Sequence, residues 1–267
     1  MRNIKLLIEY EGTNYAGWQV QHNLPTIQGV IQEKIKVITG AEILLTSASR
    51  TDAGVHALGQ VANFHTESRI QPYSFQMGLN ALLPYDIAIK SAENVALDFD
   101  SRKDAKSKTY RYLILNRPYP SAIYRNFSWH VFQKLDTDAM KKAASYLVGK
   151  KDFTSFRAAE CDALHSIREI LSFSILRGEG QGLPPRYLSG GEGLFPEQKL
   201  SDGFIELEVK GTAFLRHMVR IMAGTLVAIG KDKIKVEDFQ RIIDAKDRRL
   251  AGMTAPPYGL FLKEVEY

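Results

Sequence analysis

The stretch Ser49-Arg50-Thr51-Asp52-Ala53-Gly54-Val55-His56 gathers an arginine, a carboxylate, a glycine and an imidazole in one short segment. A carboxylate can act as a nucleophile or take a proton from a reacting group. Arg50 and Asp52 stand two apart, so in an extended segment their side chains project to one side. There the guanidinium would keep the carboxylate ionised and aimed. Gly54 suits a tight connection, because glycine reaches backbone angles closed to other residues. The same residues would also serve an ordinary turn, with Asp52 capping backbone amides and Arg50 in solvent, and spacing alone does not choose between the two. His56 reads equally well as a backbone-binding or a structural residue.

The elements around this stretch are those that fix a loop between two strands. The apolar run Ile43 to Ala48 precedes it, and Gln60 to Phe64 follows. Upstream, Ile4, Leu6, Ile8 and Tyr10 alternate with polar residues as a strand does. The loop Gly12 to Gln19 offers Tyr15 and Trp18 as candidate exposed aromatics, able to stack on bases, though aromatics in loops more often plug the edge of a core. Thr26 and the apolar Ile27, Val30, Ile31 and Ile38, stopped by Gly40, predict a capped amphipathic helix. Tyr73 to Leu83 reads as a shorter helix and Ile87 to Lys90 as a short strand.

The polar run Asp98 to Thr109 marks a boundary, giving an N-terminal half over 1–105 and a C-terminal half over 106–267. It carries Arg102, Lys103, Lys106 and Lys108, which suit a solvated linker or phosphate contacts equally. Strands follow over Tyr110–Leu115, with Tyr110, Tyr112 and Ile114 on one side, and from Trp129 to Phe132. A helix with an acidic N-cap is expected from Asp136 to Leu147. Ile167–Leu176 and Phe204–Lys210 pair as strands around a Gly-, Pro- and Ser-rich loop, 177–202, long enough to be functional or disordered. Phe214 to Ile229 is the strongest helical pattern, placing Arg216 and Arg220 four apart on one face. Val236–Ala245 and Leu260–Tyr267 close the chain as helix and strand. Helices interleaved twice with mostly antiparallel strands predict an α+β protein of two related halves, each a mixed sheet with helices on one face.

At 267 residues and a formal charge of +5 the chain suits a globular protein with a mildly basic surface, compatible with a nucleic-acid partner. No signal-peptide pattern or membrane-length apolar run is legible, so a cytoplasmic protein without a membrane partner is expected. Its histidines form no ligand-like spacing, and its single cysteine, Cys161, excludes an internal disulfide. Glu160 and Asp162 beside Cys161 would raise the thiol pKa. Phosphate-loop, dinucleotide and nucleophile-elbow patterns are missing. What remains is chemistry built on one aspartate with arginines around it, or none.

These residues resemble the tRNA pseudouridine synthase A family. The likeness lies in Ser49 to Ala57, in Gly12-Thr-Asn-Tyr-Ala-Gly-Trp-Gln19 and Thr26-Ile-Gln-Gly29, and in Lys108-Thr-Tyr-Arg-Tyr112. It continues in Asp152-Phe-Thr-Ser-Phe-Arg157, His217-Met-Val-Arg220 and Gly259-Leu-Phe-Leu262. The resemblance implies the pseudouridine synthase fold with a central RNA-binding cleft. It implies isomerisation of uridine to pseudouridine at positions 38, 39 and 40 of the tRNA anticodon stem-loop, with no cofactor or metal. By matching position, Asp52 is the catalytic residue, as a nucleophile at C1′ or C6 or as the base on a glycal-type route. Arg50 would pair with Asp52 and take the flipped base's place or hold its phosphate. Tyr110 would stack on the base, Arg220 would lie near the aspartate, and Leu260 would pack on the uracil. A homodimer with tRNA reaching across both subunits is also implied.

The segment Glu160 to His165 departs from the family pattern, and loop 177–202 is longer than expected. Candidate phosphate contacts are residues 102–108 and Arg248-Arg249. The rival readings are a non-catalytic tRNA-binding or RNA-folding protein, and a glycosidic hydrolase, which would want a second carboxylate.

Overall fold

The computed structural model describes residues 1–178 and 203–267, so the predicted loop 177–202 lies, from residue 179 on, outside the described residues. The chain is α+β with mixed, mostly antiparallel strand pairing. It forms two compact units, Met1–Lys106 with Phe261–Tyr267, and Ser107–Leu260.

In the first unit, β1 (Arg2–Tyr10) lies between β3 (His56–Thr66) and β4 (Ile87–Val95), antiparallel to both. Its alternation predicts its packing, since Ile4, Leu6, Ile8 and Tyr10 are all buried. At the end of β1, Tyr10 pairs with Ala57 on one side and Ile87 on the other. The last strand, β10 (Leu260–Glu266), joins this unit, with Phe261 and Leu262 parallel to His56 and Ala57. Sequence order groups that strand with the second half, because alternation identifies a strand but not the sheet it joins.

Helix α1 (Ile27–Thr39) starts where Thr26 Oγ1 accepts from the Gly29 amide at 3.3 Å and ends at Gly40, at φ 73°. Its Ile27, Ile31 and Ile35 are fully buried, worth roughly 1.5–3 kcal/mol each. The strand expected over 43–48 shrinks to β2 (Thr46–Ser47). The α1 side chains explain this. Gln28 Nε2 donates to the Leu45 carbonyl at 2.8 Å and Gln32 Oε1 accepts from the Leu45 amide at 3.2 Å, in place of ladder bonds. Helix α2 (Pro72–Leu82) follows as expected, and β4 runs well past Lys90.

The polar stretch after β4 is folded back rather than free. Asn3 Nδ2 donates to the carbonyls of Ala96 (3.0 Å) and Phe99 (2.9 Å), and Ser101 Oγ to that of Thr46 at 2.9 Å.

In the second unit β5 (Ser107–Leu115), β9 (Phe204–Gly211), β8 (Ile167–Arg177) and β7 (Gly149–Asp152) follow one another in the sheet, all antiparallel. The short β6 (Trp129–His130) runs parallel to β5. Helix α3 (Thr137–Ser145) has Asp136 as N-cap, its Oδ1 accepting from Asp138 and Ala139 amides at 3.0 and 2.9 Å.

Helix α4 (Met218–Gly230) is buried nearly all round, as its composition predicts, but it begins later than the pattern suggests. Phe214 packs edge-on to the Tyr110 ring, the Arg216 carbonyl accepts from the Ala158 amide at 3.2 Å, and His217 sits at φ 61°. Arg216 is therefore outside the helix and shares no helical face with Arg220. Likewise 236–245 is a short 3₁₀ turn followed by α5 (Phe239–Asp244). Among the described residues no helix is long and apolar enough to cross a membrane.

Candidate active site

The Asp52 loop enters β3 as a tight turn, in which the Asp52 carbonyl accepts from the Val55 amide at 3.2 Å and Gly54 takes φ 75°. It is tied down along its length. Gln60, buried on β3, clamps Ser49 with both ends of its amide, Nε2 to the carbonyl at 2.7 Å and Oε1 from the amide at 3.3 Å. The Thr51 hydroxyl meets the Tyr10 hydroxyl at 2.7 Å, and the Thr51 carbonyl accepts from the Trp18 amide at 3.0 Å. Gly54 donates to the Tyr15 carbonyl at 3.4 Å, and Gly12 to Nδ1 of the buried His56 at 3.0 Å. The His56 ring stacks on Phe261 with centroids 4.7 Å apart.

Two glycines of the 12–19 loop let the chains touch. A Cβ on Gly12 would lie 2.0 Å from the Val55 carbonyl oxygen, and one on Gly17 would lie 2.6 Å from that of Thr51. The loop therefore acts as a backbone cradle for the Asp52 turn. Its aromatics take the commoner of the two roles open to them and plug the core. Trp18 is 1% exposed and Tyr15 buried, with the Tyr15 hydroxyl donating to Asp86 Oδ1 at 2.6 Å. Burial and the neighbouring Asp86 raise the Tyr15 pKa far above its ordinary value, so this hydroxyl stays protonated.

Asp52 is partly exposed and Arg50 exposed. The expected Arg50–Asp52 pairing is absent, since among the described residues Arg50 forms no ion pair. The reason is local. Thr51 is fixed on both its side chain and carbonyl, and Arg50 is left pointing to solvent.

The second unit holds Tyr110, Arg220 and Leu260. Tyr110 on β5 is 6% exposed, with its ring 5.0 Å from Phe214. On α4, Arg220 Nε donates to the Ala255 carbonyl at 2.8 Å, and the Ala255 amide returns a bond to the Arg220 carbonyl at 3.0 Å. The same segment is held by Tyr112, whose hydroxyl donates to the Pro256 carbonyl at 2.8 Å. Burial pushes the Tyr112 pKa well above its ordinary value, with Tyr258 adding to this and Arg220 opposing it. Arg220 and Tyr112 together fix the chain leading to Leu260, itself nearly buried.

Sequence reading missed Gln60, Thr51, Tyr10 and Tyr112 as supports. The only signal was a polar residue, Gln60, inside an apolar strand.

Two other sequence expectations change. Burial raises the Cys161 pKa, but amide hydrogen bonds from Ala163 and Arg216 and the Arg157 guanidinium outweigh it, so the thiol lies below its ordinary range. Glu160 does not act on it as expected, since its carboxylate pairs with Arg216 at 3.3 Å. Arg248 is no free cation either. Its guanidinium donates to the Gly252 carbonyl at 2.9 Å and Thr254 Oγ1 at 3.0 Å.

The family model described as tRNA pseudouridine synthase matches residues 6–102 and 143–267. A protein of Acetivibrio thermocellus named tRNA pseudouridine synthase A is 45% identical over 267 residues, covering 100% of both chains. Proteins with the same name from Myxococcus xanthus (43% identical, 100% of this chain and 92% of that one) and Thermoanaerobacter sp. (42% identical, 100% of both) are similarly close.

Proposed function

The chain belongs to the tRNA pseudouridine synthase family, and we propose that it isomerises uridine to pseudouridine in the tRNA anticodon stem-loop, at positions 38, 39 and 40, with Asp52 as the catalytic carboxylate. The reaction breaks the N1–C1′ bond, turns the uracil, joins C5 to C1′ and moves a proton from C5, while N1 becomes protonated. Nothing is oxidised or reduced. The observation that carries the reading is the backbone cradle that holds the Asp52 turn while leaving its side chain partly open. A group held in one geometry lowers the entropic part of the barrier.

Asp52 attacks C1′ or C6 as a nucleophile, or removes a sugar proton on the glycal route. Tyr110 stacks on the uracil and serves the proton transfer that releases product. Leu260 supplies an apolar wall that keeps water from a sugar intermediate. By matching position in the family, Arg220 is assigned to the active site, and within its own unit its bond to Ala255 holds the segment before Leu260. Arg50, exposed in the free protein, takes the flipped base's place or holds its phosphate, which fits its lack of an ion pair among the described residues. Extruding the uridine costs on the order of a few kcal/mol of stacking and pairing. The active form is a cytoplasmic homodimer, and the positive balance of the chain supports tRNA binding through its backbone.

The test uses an unmodified tRNA with uridines in the anticodon arm, incubated with wild-type protein and with Asp52→Asn. Pseudouridine is mapped by carbodiimide adducts and primer extension. Stops with the wild type alone support the assignment. Binding by both with product from neither would favour a tRNA-binding protein without catalysis, and free uracil would favour a hydrolase.

A further inference from the structure

Tyr85 is the most exposed large hydrophobic side chain among the described residues, at 111% of its reference area. Its backbone, in contrast, is fixed. It follows Pro84, whose φ is locked by its ring, in a turn closed by the Ile87 amide donating to the Pro84 carbonyl at 3.0 Å. The next residue, Asp86, accepts from the Glu11 amide through its carbonyl at 2.9 Å and from the Tyr15 hydroxyl through Oδ1 at 2.6 Å. A ring on so constrained a turn loses little backbone freedom when a partner covers it.

The register places this turn at the same end of the sheet as the Asp52 loop. Tyr10, at the end of β1, is flanked by Ile87 at the start of β4 and Ala57 at the start of β3. The Tyr85 turn leads into β4 and the Asp52 turn leads into β3, so both lie at one end of the same sheet. The two strands they lead into are two strand spacings apart, about 10 Å. Stacked nucleotides rise about 3.4 Å each along a strand, so a run of about three covers that gap. The Tyr15 residue that anchors Asp86 also accepts, through its carbonyl, from Gly54 of the catalytic loop.

We propose that the Tyr85 ring stacks on a nucleobase of the substrate tRNA within about three nucleotides of the uridine that Asp52 attacks. The inference rests on the function proposed above. Aromatic side chains are the common platforms for unstacked bases, and the contact tolerates any base, because each has a π face. Asp86, next to Tyr85 in the chain, is bonded through its carbonyl to the Glu11 amide, so the residues nearest the ring in this turn are acidic and not basic. A turn without a basic side chain offers a phosphate little, whereas an exposed ring offers a base its face. Such a stack would keep the neighbouring nucleotide in place while the target uridine leaves the helix.

The experiment measures kcat and KM for pseudouridine formation on an anticodon-arm tRNA transcript by wild type, Tyr85→Ala and Tyr85→Phe, together with the sedimentation of each protein. Because the side chain is fully exposed, both variants should fold as the wild type does. Tyr85→Ala is expected to raise KM roughly five- to a hundredfold, the range for loss of one base–aromatic stack, with kcat changed much less. Tyr85→Phe should restore the wild-type KM. An unchanged KM in Tyr85→Ala, in a wild type that does form pseudouridine, overturns this inference and leaves the catalytic reading standing. A change in oligomeric state without a change in KM overturns it too, and assigns the ring to contact with a second copy of the chain. If the wild type forms no pseudouridine, both readings fall together.

Discussion

The Gly12 amide donates to Nδ1 of His56 at 3.0 Å, and this bond joins the loop after β1 to the first residue of β3. With Nδ1 accepting, the ring is neutral and carries its proton on Nε2. His56 is thus a positioning residue for the loop that holds Asp52, because the Gly12 segment passes against the Val55 carbonyl.

His56→Phe retains an aromatic ring against Phe261 but removes the acceptor, leaving the Gly12 amide buried without its partner. The expected cost is about 1–3 kcal/mol. Urea titration should show a lower midpoint with an unchanged slope. An identical midpoint would mean that the amide finds another acceptor and that His56 is not what holds the loop.

Gly17→Ala tests the cradle more directly. Gly17 has φ +97° and lies so close to the Asp52 loop that a Cβ would sit 2.6 Å from the Thr51 oxygen and 3.1 Å from the Asp52 carbonyl carbon. The variant either strains its own backbone, at about 1–3 kcal/mol, or pushes the Asp52 turn aside. A displacement of about 1 Å can cost on the order of a hundredfold in rate, so kcat should fall by that order in a folded protein. Gly40→Ala is the control, with φ +73° and nothing within 4 Å of the added carbon. It should lose stability and keep its rate. Equal rates for the two variants would sink the cradle argument.

Much of this arrangement was legible in the sequence, for a physical reason. Alternation in Ile4–Tyr10 and the Thr26 and Asp136 caps are local signals, and the structure reproduces them. So is the density of small and polar residues around Asp52, which marks the loop. The loop's supports were not legible, because Gln60 to Ser49 and Tyr10 to Thr51 are tertiary contacts that no periodicity encodes. Local reasoning also failed where neighbours in sequence are not neighbours in space. Arg50 does not meet Asp52, and Cys161 responds to Arg157 and Arg216 instead of the acids beside it. The apolar run predicts α4 from Phe214, but it cannot show that His217 takes a left-handed backbone just before the helix begins at Met218.

Cys161 gives the pH-dependent prediction. Burial alone would raise its pKa, yet the Ala163 and Arg216 amides and the Arg157 charge bring it below the ordinary thiol value. A depressed folded-state pKa favours the thiolate, so its contribution to stability is full above the unfolded pKa and lost as pH falls through the folded one. Alkylation by iodoacetamide should therefore reach half its maximal rate at a lower pH in the native protein than in urea. Arg157→Gln should move the native curve upward. Coincident native and unfolded curves would reject the assignment, and there is no second thiol to confuse the reading.

Salt dependence separates free cations from committed ones. Arg248 spends its guanidinium on Gly252 and Thr254, and Arg249 pairs with Asp247 at 2.7 Å, holding that carboxyl's pKa down to about 2. Arg102 is exposed, on a segment anchored through the Asp100 carboxylate, which accepts from the Arg102 amide at 2.9 Å. Neutralising a phosphate releases a counterion, so each lost contact reduces the slope of log affinity against log salt by about one. Arg102→Gln should show that reduction in tRNA binding. Arg248→Gln should leave the slope alone and lower thermal stability instead, since it unfastens the 251–254 turn from its clamp. If Arg248→Gln changes the slope and Arg102→Gln does not, the phosphate contacts lie on the Arg248 side, and its bonds to Gly252 and Thr254 must give way when tRNA binds.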